Sequence, residues 1–318
     1  MTSSKNRHVV LILLFVLFST LCLTNVTSKV FNGLKYNEMD YTDLIHVTNR
    51  ILKTPTPTEC NIPGNGLIAT YLSHHSIKMS KLALQLLSET EGIDASCIQP
   101  KFITICVSKK TYDACVAKGF PNCALVETNS DNESAFYSGF RGALFQYLKW
   151  CFVKEMLKTK ANVFFIDNDV LILCNPWKRD LFPRSVEDTK YDMIVQRETI
   201  ERSDSFNAGQ IMFMNTEQTN KMLDIVNTVI DQALVRSTAI KLGMQVNTFN
   251  PDIFASHCWE ARFNRTFMCT MHANCQHGIN HKMFVLHQAA LLKKECGVNS
   301  TICKGRYYVD PAKWKINK

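Results

Sequence analysis

Asp167 and Asp169 are the residues best placed to do chemistry. They are carboxylates one residue apart, at the end of the short apolar run Val163-Phe164-Phe165-Ile166. That run has the composition of a buried strand. Acids so close together at the mouth of a strand repel each other and lose hydration, so the pair asks for a cation. Oxygen donors of this kind suit Mg²⁺ or Mn²⁺, ions that usually bridge to the phosphates of a substrate. Metal-assisted chemistry on a phosphorylated ligand is therefore the leading expectation. Asp167-Asn168-Asp169 also has the composition of a plain polar turn, so the surrounding chain has to decide.

The elements that would position the acids read as alternating strands and helices. Gly66–Leu72, 101–107 and 124–127 have strand character, while 78–87, 111–118 and 136–159 read as helices. After the acid pair comes a further apolar stretch, Val170 to Leu173, and an Asn175-Pro176 break. Segments 191–196 and 208–215 then read as strands, 216–242 as one long helix, and 244–318 as less regular chain. Repeated strand–helix–strand units imply an α/β fold, a mostly parallel sheet flanked by helices on both faces. Ligands of such sheets bind outside the carboxyl ends of the strands, where Asp167 and Asp169 fall. Residues 27–63, with the run Thr54-Pro55-Thr56-Pro57-Thr58, read as a connecting stem, and 64–318 as one domain.

The 318 residues, 46% of them hydrophobic, suffice for a substantial core, and the net charge of +8 is spread along the chain. No dense Lys/Arg block argues for nucleic acid as a partner. Lys5, Arg7 and His8 precede an apolar run over 9–26, which reads as a signal anchor with residues 1–8 cytosolic, or as a signal peptide cleaved near Thr27-Ser28. The expected location is the Golgi or ER membrane, single-pass with the bulk of the chain luminal, or secretion if the segment is cleaved. Sequons at Asn25, Asn132, Asn264 and Asn299 agree with that compartment. So do the 13 cysteines, 12 of them outside the apolar segment. Cys296 and Cys303 suggest a local bridge, whereas Cys106 and Cys151 sit in apolar surroundings suited to buried thiols. No Cys/His spacing matches a structural zinc site.

These pieces resemble the nucleotide-diphospho-sugar glycosyltransferases of the GT-A fold, and are similar to the plant cell-wall xylosyl- and arabinosyltransferases. The resemblance spans roughly 67–292 and rests on motifs in order: Lys149, Asp167-Asn168-Asp169, Phe206-Asn207-Ala208-Gly209, Asp231-Gln232, and His272-Ala273-Asn274 followed by Gly278 and Lys282. Ala208 stands where Ser is commoner in that pattern. The resemblance implies a nucleotide-sugar donor, a UDP-sugar above all, and a glycan or glycoprotein acceptor.

Breaking a sugar–diphosphate bond builds negative charge on the leaving nucleotide, which a divalent ion neutralises. Asp169 would ligate it, Asp167 would ligate it or hold the ribose and a metal-bound water, and His272 would be a third ligand, favouring Mn²⁺ over Mg²⁺. His277 and His281 could replace His272, and a Cys269–Cys275 bridge could hold that loop. Lys149, Asn207, Gly209, Gly278 and Lys282 would border the donor, with Asn207 and Gln210 offering amides to sugar hydroxyls. Asp204, Glu201 and Asp231 are the acids to consider as a base or as stabilisers of the sugar cation; retention of configuration would need no dedicated base. Two other readings exist. One is a haloacid-dehalogenase-type phosphatase with Asp167 as nucleophile, which expects its motif at the start of the domain and a later Gly-Asp element absent from this chain. The other is a catalytically silent luminal binding protein of the same fold.

Overall fold

The computed structural model describes residues 39–73, 76–89, 95–128, 141–178, 180–197, 206–226, 232–251, 253–256, 268–274 and 278–296. The apolar segment 9–26 lies outside them, and no described helix is long and apolar enough to cross a membrane.

The central sheet grows from strands that sequence composition alone commits to burial. β2 (Gly66–Leu72), β3 (Phe102–Cys106) and β6 (Asn162–Ile166) are buried along their whole length, as continuous apolar runs in parallel sheets are. With β4 (Cys123–Leu125) they pair in parallel in the order β4-β3-β2-β6. Beyond β6 comes β9 (Asn207–Phe213), antiparallel to its neighbours, and then β8 (Met193–Gln196) and β10 (Val246–Thr248), giving a seven-stranded mixed sheet. The sheet order reverses between β2 and β6, where an open α/β sheet forms its ligand crevice.

Alternation along each strand feeds two cores. Leu67, Ala69, Val163 and Phe165 face one, and Ile68, Phe164 and Ile166 the other. The first core is filled by α5 (Arg141–Lys158), whose Tyr147, Leu148, Trp150, Cys151, Phe152, Val153 and Met156 are all buried. In the second, Phe164 meets Phe182 edge to face at 4.7 Å, and Phe249 stacks on Phe254 at 4.2 Å. That aromatic cluster anchors the strand that ends in the acid pair.

A second, three-stranded sheet completes the site. β7 (Val170–Ile172) pairs antiparallel with β12 (Thr270–His272), which pairs in parallel with β11 (Phe254–Ser256). α2 (Ile77–Glu89) and α8 (Ile279–Cys296) pack on it and on each other. Cys174 and Cys269 form a disulfide that joins the ends of β7 and β12. Cys269 therefore does not bridge Cys275. Cys60–Cys97 and Cys115–Cys123 are the other bridges among the described residues, and Cys106 and Cys151 are free and buried, as their surroundings suggest. The Cys296–Cys303 suggestion lies outside the described side chains.

Two readings of the chain are corrected. Residues 39–63 do not form a stem. β1 (Met39–Asp40) pairs with β5 (Glu127–Thr128), and α1 (Thr42–Lys53) buries Leu44, Val47 and Ile51 in the first core. Those residues make one apolar helical stripe, and Asp40 accepts a hydrogen bond from the Thr42 amide at 2.8 Å to start the helix. The buried Lys101 ammonium ends it, donating to the carbonyls of Ile51 at 3.2 Å and Thr54 at 3.4 Å, where the helix dipole favours a cation. The second correction concerns 216–242, which is not one helix. α6 (Glu217–Val226) and α7 (Gln232–Lys241) pack against each other, which a straight helix could not do.

Candidate metal centre

Three short pieces of backbone bring the candidate residues together. Asp167-Asn168-Asp169 is the turn that carries the chain from β6 of the large sheet into β7 of the small one, closed by the Val170 amide donating to the Asp167 carbonyl at 3.1 Å. β9 runs antiparallel beside β6, and the Asp167 amide donates to the Gly209 carbonyl at 2.8 Å. β12 lies beside β7 with His272 opposite Val170, and the Ala273 amide donates to the Asp169 carbonyl at 2.9 Å. Asp167, Asp169 and His272 thus offer ligand atoms that all lie within 4.8 Å of one another.

The electrostatics of the acids differ. Asp169 is 4% exposed, with Oδ1 at 3.2 Å from His272 Nε2 and Oδ2 paired with the Lys282 ammonium. Burial alone would push this carboxyl up, but the opposing charge and hydrogen bonds of His272 and Lys282 hold it well below the usual carboxylate range. It is ionised throughout the physiological range. Asp167 is more open, and its Oδ1 lies 2.6 Å from the ammonium of Lys149, a side chain with almost no exposure. Lys149 also donates to the Ala208 carbonyl at 2.5 Å. Its charge therefore meets the chain's own acid and the main chain of β9.

The donor set fits a divalent ion. Two carboxylates from one turn and an imidazole from β12 converge, a mixed O/N set that could hold a metal ion. Lys282 sits in the first turn of α8, after Gly278, whose φ of 86° is a left-handed conformation that glycine adopts at low cost. A Cβ at Gly278 would meet no described protein atom within 4 Å. Asn207 accepts from the Gly209 amide at 2.8 Å, forming the turn into β9. Gln210 points into the small sheet, where its Oε1 accepts from Thr270 Oγ1 at 2.6 Å. Beside Asp167 and Asn168 opens a small cleft lined by Leu84, Leu87, Phe102 and Phe120, with the hydroxyls of Thr70 and Ser80, which have no partner among the described residues.

Some expected residues are not in this group. His281 lies exposed on α8, away from the three ligands. Glu201, Asp204, Asp231 and His277 lie outside the described residues. One residue went unread in the sequence. Gln196, the last residue of β8, is wholly buried with Oε1 at 2.7 Å from His272 Nδ1. No motif marks it, and only the pairing of β8 with β9 brings it to the site.

An acid pair at the carboxyl edge of a parallel strand thus faces a histidine and a lysine, in a group that could bind a metal ion where α/β sheets bind their ligands. A profile of the nucleotide-diphospho-sugar transferases matches residues 97–286, more than half of the 318, and the chain belongs to that family. The matched stretch begins 70 residues before Asp167 and includes the acid pair, which argues against the phosphatase reading. No curated protein matches the sequence. Among solved structures the chain is similar to the WbbM bifunctional glycosyltransferase, at 12% identity and a TM-score of 0.45, over 72% of this chain and 49% of that one. It is also similar to the glycosyltransferase GlyE of Streptococcus pneumoniae TIGR4, at 12% identity and a TM-score of 0.43, over 79% of this chain and 66% of that one. A third is a glycosyltransferase involved in glycosylation of the major capsid of PBCV-1, at 11% identity and a TM-score of 0.41, over 70% of this chain and 98% of that one. The chain thus spans about half the length of WbbM.

Proposed function

We propose that this chain is a metal-dependent glycosyltransferase of GT-A type, moving a sugar from a UDP-sugar to a hydroxyl of a glycan or glycoprotein with retention of configuration. The observation that carries the reading is the convergence of Asp167, Asp169 and His272 at the carboxyl edge of β6, in a chain of this family. Asp169 and His272, both buried, would hold the ion, with Asp167 as a ligand or as the hold on a metal-bound water. Mn²⁺, or failing that Mg²⁺, would supply Lewis-acid neutralisation of the charge on the leaving nucleotide. Lys282, partly exposed, would pass from Asp169 to the diphosphate, and the backbone at Gly278 would let the phosphates approach. Asn207 and Gly209 would border the sugar, and Asp204 and Asp231 remain the acids to test on the acceptor side.

The compartment belongs to the same proposal. We place the chain in the Golgi or ER membrane through a signal anchor at 9–26, with the site luminal. The three disulfides support an oxidising compartment.

The test is a panel of nucleotide sugars offered to the purified chain with Mn²⁺ and with chelator, scoring binding and release of the nucleotide. Metal-dependent release from one donor is the expected result. Binding without release would mean that the acceptor is missing from the assay. A folded chain that binds no donor would sink the transferase reading in favour of a silent binding protein.

A further inference from the structure

Gln196 is buried at the end of β8 with its amide fully committed. Its Nε2 donates to the carbonyls of Phe254 at 3.4 Å and Ala255 at 3.2 Å, on β11. Carbonyl oxygens only accept, so the NH₂ end must face them and Oε1 must face the His272 ring. An amide oxygen also only accepts. The hydrogen between Oε1 and Nδ1, 2.7 Å apart, therefore belongs to the imidazole. In the neutral ring, the form that can ligate a metal, Nε2 then carries the lone pair, with Asp169 Oδ1 3.2 Å away. In that form Nε2 and Oδ1 are both acceptors, and a shared cation satisfies both.

The Cε1 edge of the ring, between its two nitrogens, is closed by main chain. A Cβ on Gly209 would be built into the imidazole, with Nδ1 and Nε2 each at 2.7 Å, so only glycine lets β9 pass there. The clamp and the ring also share a sheet, since β11 pairs with β12 with Ser256 opposite His272.

We propose that Gln196 is a positioning residue of the metal centre, fixing the tautomer and angle of His272 and through them the affinity for a divalent cation. The proposal rests on the metal reading above. Partners that orient a ligating imidazole are typically worth about 10–100-fold in metal affinity.

The experiment titrates Mn²⁺ into the full chain without donor and reads free Mn²⁺ by electron paramagnetic resonance. It compares the unaltered chain, Gln196→Met, His272→Ala and the double variant, each checked for folding by circular dichroism. The expected results are roughly 10–100-fold weaker binding for Gln196→Met and no further loss when it is added to His272→Ala. A folded Gln196→Met chain with unaltered affinity overturns the proposal. So does a loss that persists in full without His272, because the amide would then act through strand packing instead of the ring. Should Gln196→Met fail to fold, Gly209→Ala displaces the ring by pressing on its Cε1 edge. It is expected to weaken binding in the same non-additive way, and unchanged affinity would again overturn the proposal. An unaltered chain that binds no Mn²⁺ would remove the metal reading and this proposal together, a result distinct from the others.

Discussion

At the scale of single residues, the two acids of the turn differ in what answers their charge. Lys282 answers Asp169 from the helix side and is 28% exposed, so it can return to water if its partner is lost. Lys149 answers Asp167 from inside the core and has nowhere to go. Removing one partner of a buried pair leaves an uncompensated charge and costs about 3–5 kcal/mol, far more than the pair contributes when intact. We therefore expect Asp167→Asn, at the more exposed acid, to destabilise the fold by about 3 kcal/mol or more. Asp169→Asn should cost about 1 kcal/mol or less, because Lys282 solvates and His272 keeps its Gln196 partner. Both should lose metal binding. Urea unfolding of the two variants would check the order, and the reverse order would mean that Lys149 finds another partner. The acid pair stood out in the sequence because its spacing carries chemistry, whereas His272 and Lys282 were read only through the family resemblance, and the structure brings the four together. Lys149 was legible as important but not as the partner of Asp167, and Gln196 not at all. Those relationships exist only once β8, β9 and β12 lie side by side.

At the scale of elements, the parallel strands were legible because strands buried on both faces are continuous apolar runs. Gly66–Leu72 is the strand expected, to the residue. The small sheet was not legible, since its three-residue strands pair only after the chain has returned from far away. Between the residues of α6 and α7 the sequence carries the β-branched run Thr228-Val229-Ile230, a poor helix former that apolar periodicity masked. α1 was hidden by the Pro-Thr run that follows it, although Leu44, Val47 and Ile51 mark its stripe plainly. Its burial yields a prediction about where the folded unit begins. A chain starting at residue 64 would lose α1, the β1–β5 pair and the Cys60–Cys97 bridge, and would expose the first core. It should aggregate or melt at low temperature, whereas a chain starting at residue 39 should fold. Within the intact chain, Leu44→Ala should cost about 2–5 kcal/mol, the range for a large core side chain cut back to alanine. A stable, monodisperse fragment from residue 64 would show that α1 is an ornament to the domain.

At the scale of the whole molecule, three buried acids outside the metal centre lean the same way. Burial pushes the thiols of Cys106 and Cys151 up to about 12, and burial with neighbouring Cys151 and Tyr147 raises the Tyr41 phenol above its ordinary value. Each is an acid that the fold keeps neutral. Its contribution to stability is fully present below the value it has in the unfolded chain, near 9 for the thiols, and is lost as pH rises from there toward the folded value. The slope is about 1.4 kcal/mol per pH unit for each group while it titrates in the unfolded state alone. Surface charge works in the opposite sense at first, because the net charge of +8 at pH 7 shrinks toward the pI of about 8.8 and self-repulsion falls with it. Stability should therefore be flat or rising up to about pH 9 and should fall steeply beyond it. Urea unfolding at pH 7, 9 and 10.5 would trace this curve. Cys151→Ala should lower stability at pH 7, through the lost packing, yet flatten the alkaline limb by one group's slope. If the limb keeps its full slope in that variant, the alkaline transition belongs to the surface charges and not to the core around α5.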